Sequence, residues 1–262
     1  MGPKAAIDNQ RIDVAVSVLP QAQVVEKVGG ERVRVTVMIP PGKSPHTYSP
    51  SPEQLRRLSV ARLYFKVGHP LFPFESAHFD RLIKDNKNIL VVDGGESGKL
   101  LPHDAHLWLS PGFVAGHVRL IRDALIKVDP DGQRFYRENA RAFLKEIRAL
   151  RSELKRKLGP YQGRKIFVYH PAWGYFAREF GLVQRALQKH HKAPGPKDME
   201  RFIQELKDED AKTIFVQKQF DQRHADIVAR AIGGDVKALD PLARDWLNNM
   251  REVGREMEKA LK

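Results

Sequence analysis

The chain of 262 residues contains no cysteine. That excludes a disulfide framework, thiol catalysis, cysteine zinc ribbons and iron–sulfur sites, and leaves metal chemistry only nitrogen and oxygen ligands. No run approaches the roughly 20 consecutive apolar residues of a membrane span. The phosphate-binding motifs are missing as well. Gly94-Gly-Glu-Ser-Gly-Lys99 resembles a P-loop fragment but is one residue short, and Leu100 stands where Ser or Thr would meet magnesium. There is no Gly-x-Gly-x-x-Gly after a strand, no Gly-x-Ser-x-Gly elbow and no His-Glu-x-x-His helix, so nucleotide enzymes, α/β-hydrolases and zincin proteases lose their main support. An apolar stretch after Met1 is also lacking: residues 2–11 are largely polar, so no signal peptide is expected in this chain, and both a cytosolic start and a processed exported protein fit that beginning.

What is present is an ordinary globular composition with 42% hydrophobic and 29% charged residues, 10 histidines and a net charge of +13. The excess charge raises nucleic acid or an anionic membrane surface as partners. Much of it sits between Asp131 and Leu158, where nine basic residues face four acidic ones. Apolar residues there (Phe135, Ala142/Phe143, Leu144, Ile147, Leu150, Leu154 and Leu158) recur at spacings of three and four, which predicts one helix of about 40 Å. Its arginine-rich side is read as a solvated face and not as a nucleic-acid groove, because neither a reader motif nor interleaved aromatics accompany it.

Around this helix, apolar runs alternate with amphipathic ones. Strands are expected at Ile12–Leu19, Val33–Ile39, Arg62–Val67 and Asn88–Val92, then at Lys165–Tyr169, Gly181–Leu187, Ala211–Val216 and Asp235–Leu239. Helices are expected at Gln21–Val28, after the Ser51-Pro-Glu-Gln54 capping box, near Phe79–Lys84, after Ser110-Pro111, at Trp173–Phe180, Pro196–Asp208, His224–Ile232 and from about Leu242 onward. Such alternation implies right-handed crossovers and parallel sheets. The reading is an α/β protein with a lobe over 1–129, a connecting helix over 130–158 and a second lobe over 159–262.

In open α/β sheets ligands bind beyond the carboxyl ends of the strands. His46 follows the second strand, His106 precedes a Ser-Pro helix start, His170 ends the strand before His-Pro-Ala-Trp, and Asp240 ends the last strand. Three imidazoles and a carboxylate suit zinc in a tetrahedron, and would hold the dication less well as the histidines protonate. His69, His78, His117 and His224 are read as hydrogen-bonded loop residues, His103 as an auxiliary candidate, and His190/His191 as solvent-facing.

The local sequences carrying these four residues resemble the zinc/manganese class of periplasmic solute-binding proteins of ABC transporters (cluster A-I). The matching pieces are Pro45-His46-Thr-Tyr-Ser-Pro50, Asp104-Ala-His106-Leu-Trp-Leu-Ser-Pro111, His170-Pro-Ala-Trp-Gly-Tyr-Phe-Ala177 and Leu239-Asp240-Pro-Leu-Ala243 ahead of Trp246 and Met250. The resemblance implies two Rossmann-like lobes joined by one rigid helix, metal ligation by His46, His106, His170 and Asp240, and a non-enzymatic, monomeric receptor outside the cytoplasm. The receptor would deliver Zn²⁺, less readily Mn²⁺, to an ABC permease. It also implies that loops, more than a hinge, respond to metal.

Three departures stand out. The long histidine-rich loop of many zinc members is reduced to Glu96–His103. Histidine at 170, where manganese members usually carry glutamate, favours zinc on ligand softness. The usual Val-Glu-Pro-Gln-Phe appears as Val216-Gln217-Lys-Gln219-Phe220, which removes a carboxylate expected near the lobe surface and places any docking role for it in question. A metal-dependent hydrolase built on the same histidines, the same receptor specific for Mn²⁺ or Fe²⁺, and a basic nucleic-acid-binding protein stand as alternatives.

Overall fold

The computed structural model describes residues 11–83, 86, 88–188, 194–219 and 222–262. The His190/His191 pair, Phe220 and the chain start lie outside them. The chain forms two compact units, one of residues 1–149 and 242–246, the other of 150–241 and 247–262.

The first unit is built on a parallel sheet of β1 (Ile12–Val16), β2 (Val33–Val37), β3 (Leu63–Lys66) and β4 (Leu90–Asp93) in the order β2-β1-β3-β4. The connecting helices are α1 (Leu19–Gly29), α2 (Pro52–Ser59), α3 (Pro73–Ile83) and α4 (Pro111–Val128). The first strand ends earlier than its apolar run because Gln21 reaches back. Its Oε1 accepts from the backbone N–H groups of Ser17 and Val18 at 3.0 and 3.1 Å, which turns the chain into α1 where Val18 and Leu19 could have continued the strand. Likewise α3 starts at Pro73 and not near Phe79, since proline is favoured in the first turn of a helix.

The second unit repeats the plan with β5 (Lys165–Val168), β6 (Val183–Ala186), β7 (Thr213–Gln217) and β8 (Asp235–Leu239) in the order β6-β5-β7-β8. Its helices are α6 (Gly174–Phe180), α7 (Pro196–Asp208) and α8 (Arg223–Ile232). Phe167, Phe202, Leu206, Ile214, Val216, Val228 and Ile232 form its core, each burial worth roughly 1.5–3 kcal/mol. Gln217, expected near the surface, is instead buried at the carboxyl end of β7, where it pairs with Leu239 of β8. A residue in that place presents no group for docking.

The long helix α5 (Gln133–Leu158) is one element of 26 residues. Its buried face is Tyr136, Ala140, Phe143, Ile147, Leu150, Leu154 and Leu158. The expected Phe135 and Ala142 give way to Tyr136 and Ala140 at the N-terminal end. Tyr136 can be buried because its hydroxyl has partners: it donates to Asp129 Oδ2 at 2.5 Å and accepts from Arg32 Nε at 3.3 Å. The last helix, α9, covers Trp246–Leu261, starting later than expected because residues 240–245 pass through Pro241 and turns. The indole of Trp246 donates to the carbonyl of Trp108 at 2.6 Å.

Candidate metal centre

Within the first unit, the loops at the carboxyl ends of the strands are fixed by side chains close in sequence to the candidate ligands. After β2 the chain keeps pairing with β1, Met38 and Ile39 donating to the carbonyls of Val16 and Ser17. It then turns through Gly42, whose φ of 75° is a left-handed conformation suited to glycine. The next segment folds over Ser44, which accepts from the backbone N–H groups of His46, Thr47 and Tyr48. Gln54 ties this loop down. Its side chain completes the capping box of α2, accepts from the Tyr48 hydroxyl at 2.6 Å, and donates to the carbonyls of Val37 and Met38. One glutamine thus joins the end of β2, the start of α2 and the loop that carries His46.

His106 is held by its neighbour two residues back. Asp104, buried and closing a bridge with Leu101, accepts at Oδ1 from both the backbone N–H of His106 at 2.8 Å and its Nδ1 at 2.7 Å. The proton therefore sits on Nδ1, and Nε2 keeps its lone pair. The ring meets Trp108 edge-on, and Ser110 caps α4 just beyond. His46 and His106 each bring a ring nitrogen within 4.8 Å of the other. Two nitrogens on one tetrahedral zinc stand about 3.3 Å apart, so a small side-chain adjustment would let both bind one ion.

Within the second unit, His170 is buried where β5 ends, and its Nδ1 donates to the Gln188 side-chain carbonyl at 2.7 Å. Gln188 is buried too, and its backbone N–H donates to the carbonyl of Tyr169. This fixes the same tautomer as in His106, but with a neutral amide in place of a carboxylate. Asp240 directly follows β8. Its Oδ1 accepts from Gln219 Nε2 at 3.1 Å and its carbonyl accepts from Asn249 at 2.7 Å.

The structure thus brings His46 and His106 together in the first unit and places His170 and Asp240 at strand ends of the second. Gln188 and Gln219 were not singled out from the sequence, where an isolated glutamine carries no motif; Asp104 could be found from its Asp-x-His spacing. Of the other histidines, His69 is a buried loop residue, with Nε2 facing the carbonyl of Leu101 at 2.8 Å and Nδ1 accepting from Leu71. His78, His117 and His224 are not loop residues: they lie on α3, α4 and α8, where the His117 ring packs against Phe65 and Phe113 and the His224 ring stacks on Tyr169. His103 is exposed in the turn between Leu101 and Asp104.

A second polar cluster lies deeper in the first unit. Glu75 of α3 accepts from the Ser17 hydroxyl and from the backbone N–H groups of Val67 and Gly68 at 2.5 and 2.9 Å, while Ser17 also meets the Tyr64 hydroxyl at 2.8 Å. Burial pushes both Glu75 and Tyr64 above their ordinary values, the hydrogen bonds to the carboxylate opposing the shift of Glu75.

The sequence profile of the family described as zinc-uptake complex component A, periplasmic, matches residues 14–260. Among curated proteins, a putative metal-binding protein of Chlamydia trachomatis is 26% identical over 250 residues, covering 93% of this chain and 89% of that protein. The high-affinity zinc uptake system protein ZnuA of Yersinia pestis is 27% identical over 270 residues, covering 87% of this chain and 82% of that protein. The manganese-binding lipoprotein MntA of Halalkalibacterium halodurans is 26% identical over 239 residues, covering 87% and 78%. Among solved structures, a crystal structure of ZnuA superimposes with a TM-score of 0.91 at 35% identity, covering 96% of this chain and all of that one.

Proposed function

Since the chain belongs to the family of periplasmic zinc-uptake components A, the metal-binding receptors of ABC transporters, we propose that its cargo is Zn²⁺. His46, His106, His170 and Asp240 would be its ligands, and an ABC permease on the extracytoplasmic side of the membrane would receive the ion. The family is one of non-enzymatic solute-binding proteins, so the hydrolase alternative falls away. The choice of zinc rests on the histidine at position 170, whose tautomer Gln188 fixes. With imidazoles at three of four positions the donor set is softer than one rich in carboxylates, and suits zinc better than manganese, which favours oxygen. Relatives of both kinds support the coarser function equally, the Yersinia protein being named for zinc and the Halalkalibacterium protein for manganese.

Competitive titration of metal-free protein tests the assignment. Roughly one zinc per chain should bind, and manganese should fail to displace it at about a hundredfold excess. Manganese binding as tight as zinc would overturn the zinc reading while leaving the receptor reading intact.

The partners of the imidazoles give a second expectation. Asp104→Ala should weaken zinc binding by about 10–100-fold, because the ring loses both its orientation and the basicity that a carboxylate lends it. Asp104→Asn, which keeps an acceptor but not the charge, should lose less. Gln188→Ala should act in the same direction through His170. Equal zinc affinity in all three variants, measured against a chelator of known strength, would show that these contacts do not tune the ligands.

A further inference from the structure

The long helix α5 carries an unusual distribution of charge. At 100° per residue, Arg137, Arg141, Lys145 and Arg148 fall within an arc of about 80° on one face, and Lys155 and Arg156 continue that face further along the helix. All six are exposed. The acidic residues of the helix are engaged elsewhere: Glu138 pairs with Arg134 at 2.8 Å, Glu146 with Lys27 at 3.1 Å, and Glu153 with Lys157 and Arg251 at 3.3 and 3.5 Å. Among the described residues none of the six stripe cations has an acidic partner, and Arg137 hydrogen-bonds only to Gln133. From Arg137 to Lys155 the stripe runs about 27 Å.

A row of unneutralised cations of this length opposes folding by self-repulsion, and nothing in the helix offsets it. We propose that the stripe is a docking face for an anionic lipid bilayer. Charge complementarity selects this occupant. Six cations along one helix face can meet a plane of phosphate headgroups together, each contributing about a fivefold gain in partitioning where the surface is strongly anionic. The face carries no aromatic residue on which a base could stack, and no reader motif accompanies it, so single-stranded nucleic acid fits it less well. The proposal concerns a surface apart from the metal ligands and does not depend on the identity of the cargo.

The experiment is co-sedimentation of the whole chain with vesicles of phosphatidylglycerol mixed into phosphatidylcholine, against vesicles of phosphatidylcholine alone. Binding is expected only to the anionic vesicles at about 50 mM salt, and its loss at about 500 mM, where the screening length falls to a few ångströms. The variant R137Q/R141Q/K145Q/R148Q should bind about 600-fold more weakly. A control of equal net charge, R62Q/K197Q/K207Q/R230Q, removes exposed cations elsewhere and should bind within about threefold of the parent. Arginine, lysine and glutamine have similar helix propensities, and circular dichroism checks that the helix persists; if the quadruple variant misfolds, R137Q/R141Q and K145Q/R148Q are tested separately, each expected to weaken binding about 25-fold. Equal losses in the stripe and control variants, or no binding of the parent to anionic vesicles, would overturn the proposal. So would tighter binding to a single-stranded oligonucleotide that the stripe substitutions abolish.

Discussion

His170→Ala is expected to lower zinc affinity by about 100–1,000-fold, and His106→Ala by a similar factor. Binding of zinc to a four-ligand protein site is worth roughly 10–16 kcal/mol near neutral pH, so one ligand's share is about 3–4 kcal/mol. The two losses should differ in their side effects. His106 is partly exposed, and its partner Asp104 can turn to other donors at the turn. His170 is buried, and its removal strands the Gln188 carbonyl, which should cost about 1–3 kcal/mol of stability in metal-free protein. Urea unfolding in the presence of a chelator separates that cost from the loss of ligation. His170→Glu provides a second discriminant: replacing imidazole by carboxylate should narrow the preference for zinc over manganese. Zinc affinity within about tenfold of the parent for His170→Ala, in protein shown to be folded, would remove His170 from the ligand set.

The parts of this site that can be read from the sequence are those whose physics is local. Strands such as Lys165–Val168 and Thr213–Gln217 lie inside their sheet and are largely buried, so they appear as short apolar runs, and the turn after the first of them holds His170; His46 and Asp240 instead follow the edge strands β2 and β8. Ser51, Pro52 and Gln54 announce α2 for the same reason: a cap is written in consecutive residues. The residues that hold the ligands in place are less legible. Gln188 comes after β6, a strand with partly exposed residues, and reaches His170 only because that strand lies beside β5. Nor does spacing decide between Phe135 and Tyr136 as the buried aromatic of α5. Both continue an apolar stripe, and the choice falls to Asp129 and Arg32, which satisfy the tyrosine hydroxyl from outside the helix. His117 shows the same limit: the sequence reads it as a hydrogen-bonded loop residue, yet it lies on α4, buried against Phe65 and Phe113.

That burial sets the second large effect. Acidification of metal-free protein from pH 6.5 to 4 should remove about 3 kcal/mol of stability through His117 alone. Burial holds this imidazole neutral and pushes its pKa from 6.5 down to about 4, the carbonyl of Gly94 at 3.2 Å and the charge of Asp93 opposing the shift. Because the folded value is the lower one, the unfolded chain binds the proton first. The stabilisation is complete above pH 6.5, declines as pH falls, and is gone once the folded form also protonates near pH 4. Glu75 works in the other direction. Its folded value is raised, so the native state binds its proton more readily than the unfolded chain and gains stability as pH drops toward the ordinary carboxylate range. The parent curve is therefore a difference of two effects, and the variants separate them. His117→Leu should flatten the loss between pH 6.5 and 4, while changing stability near neutral pH by no more than about 1 kcal/mol, since removing the ring frees one carbonyl but also removes a buried, unpartnered Nδ1. Glu75→Gln should steepen the loss, because the opposing group has gone. If the parent and His117→Leu keep the same slope in urea unfolding across this range, the acid sensitivity belongs to other groups. Parallel curves for Glu75→Gln and the parent would likewise mean that Glu75 stays ionised in the fold, held by Ser17 and the backbone of Val67 and Gly68 more strongly than burial opposes it.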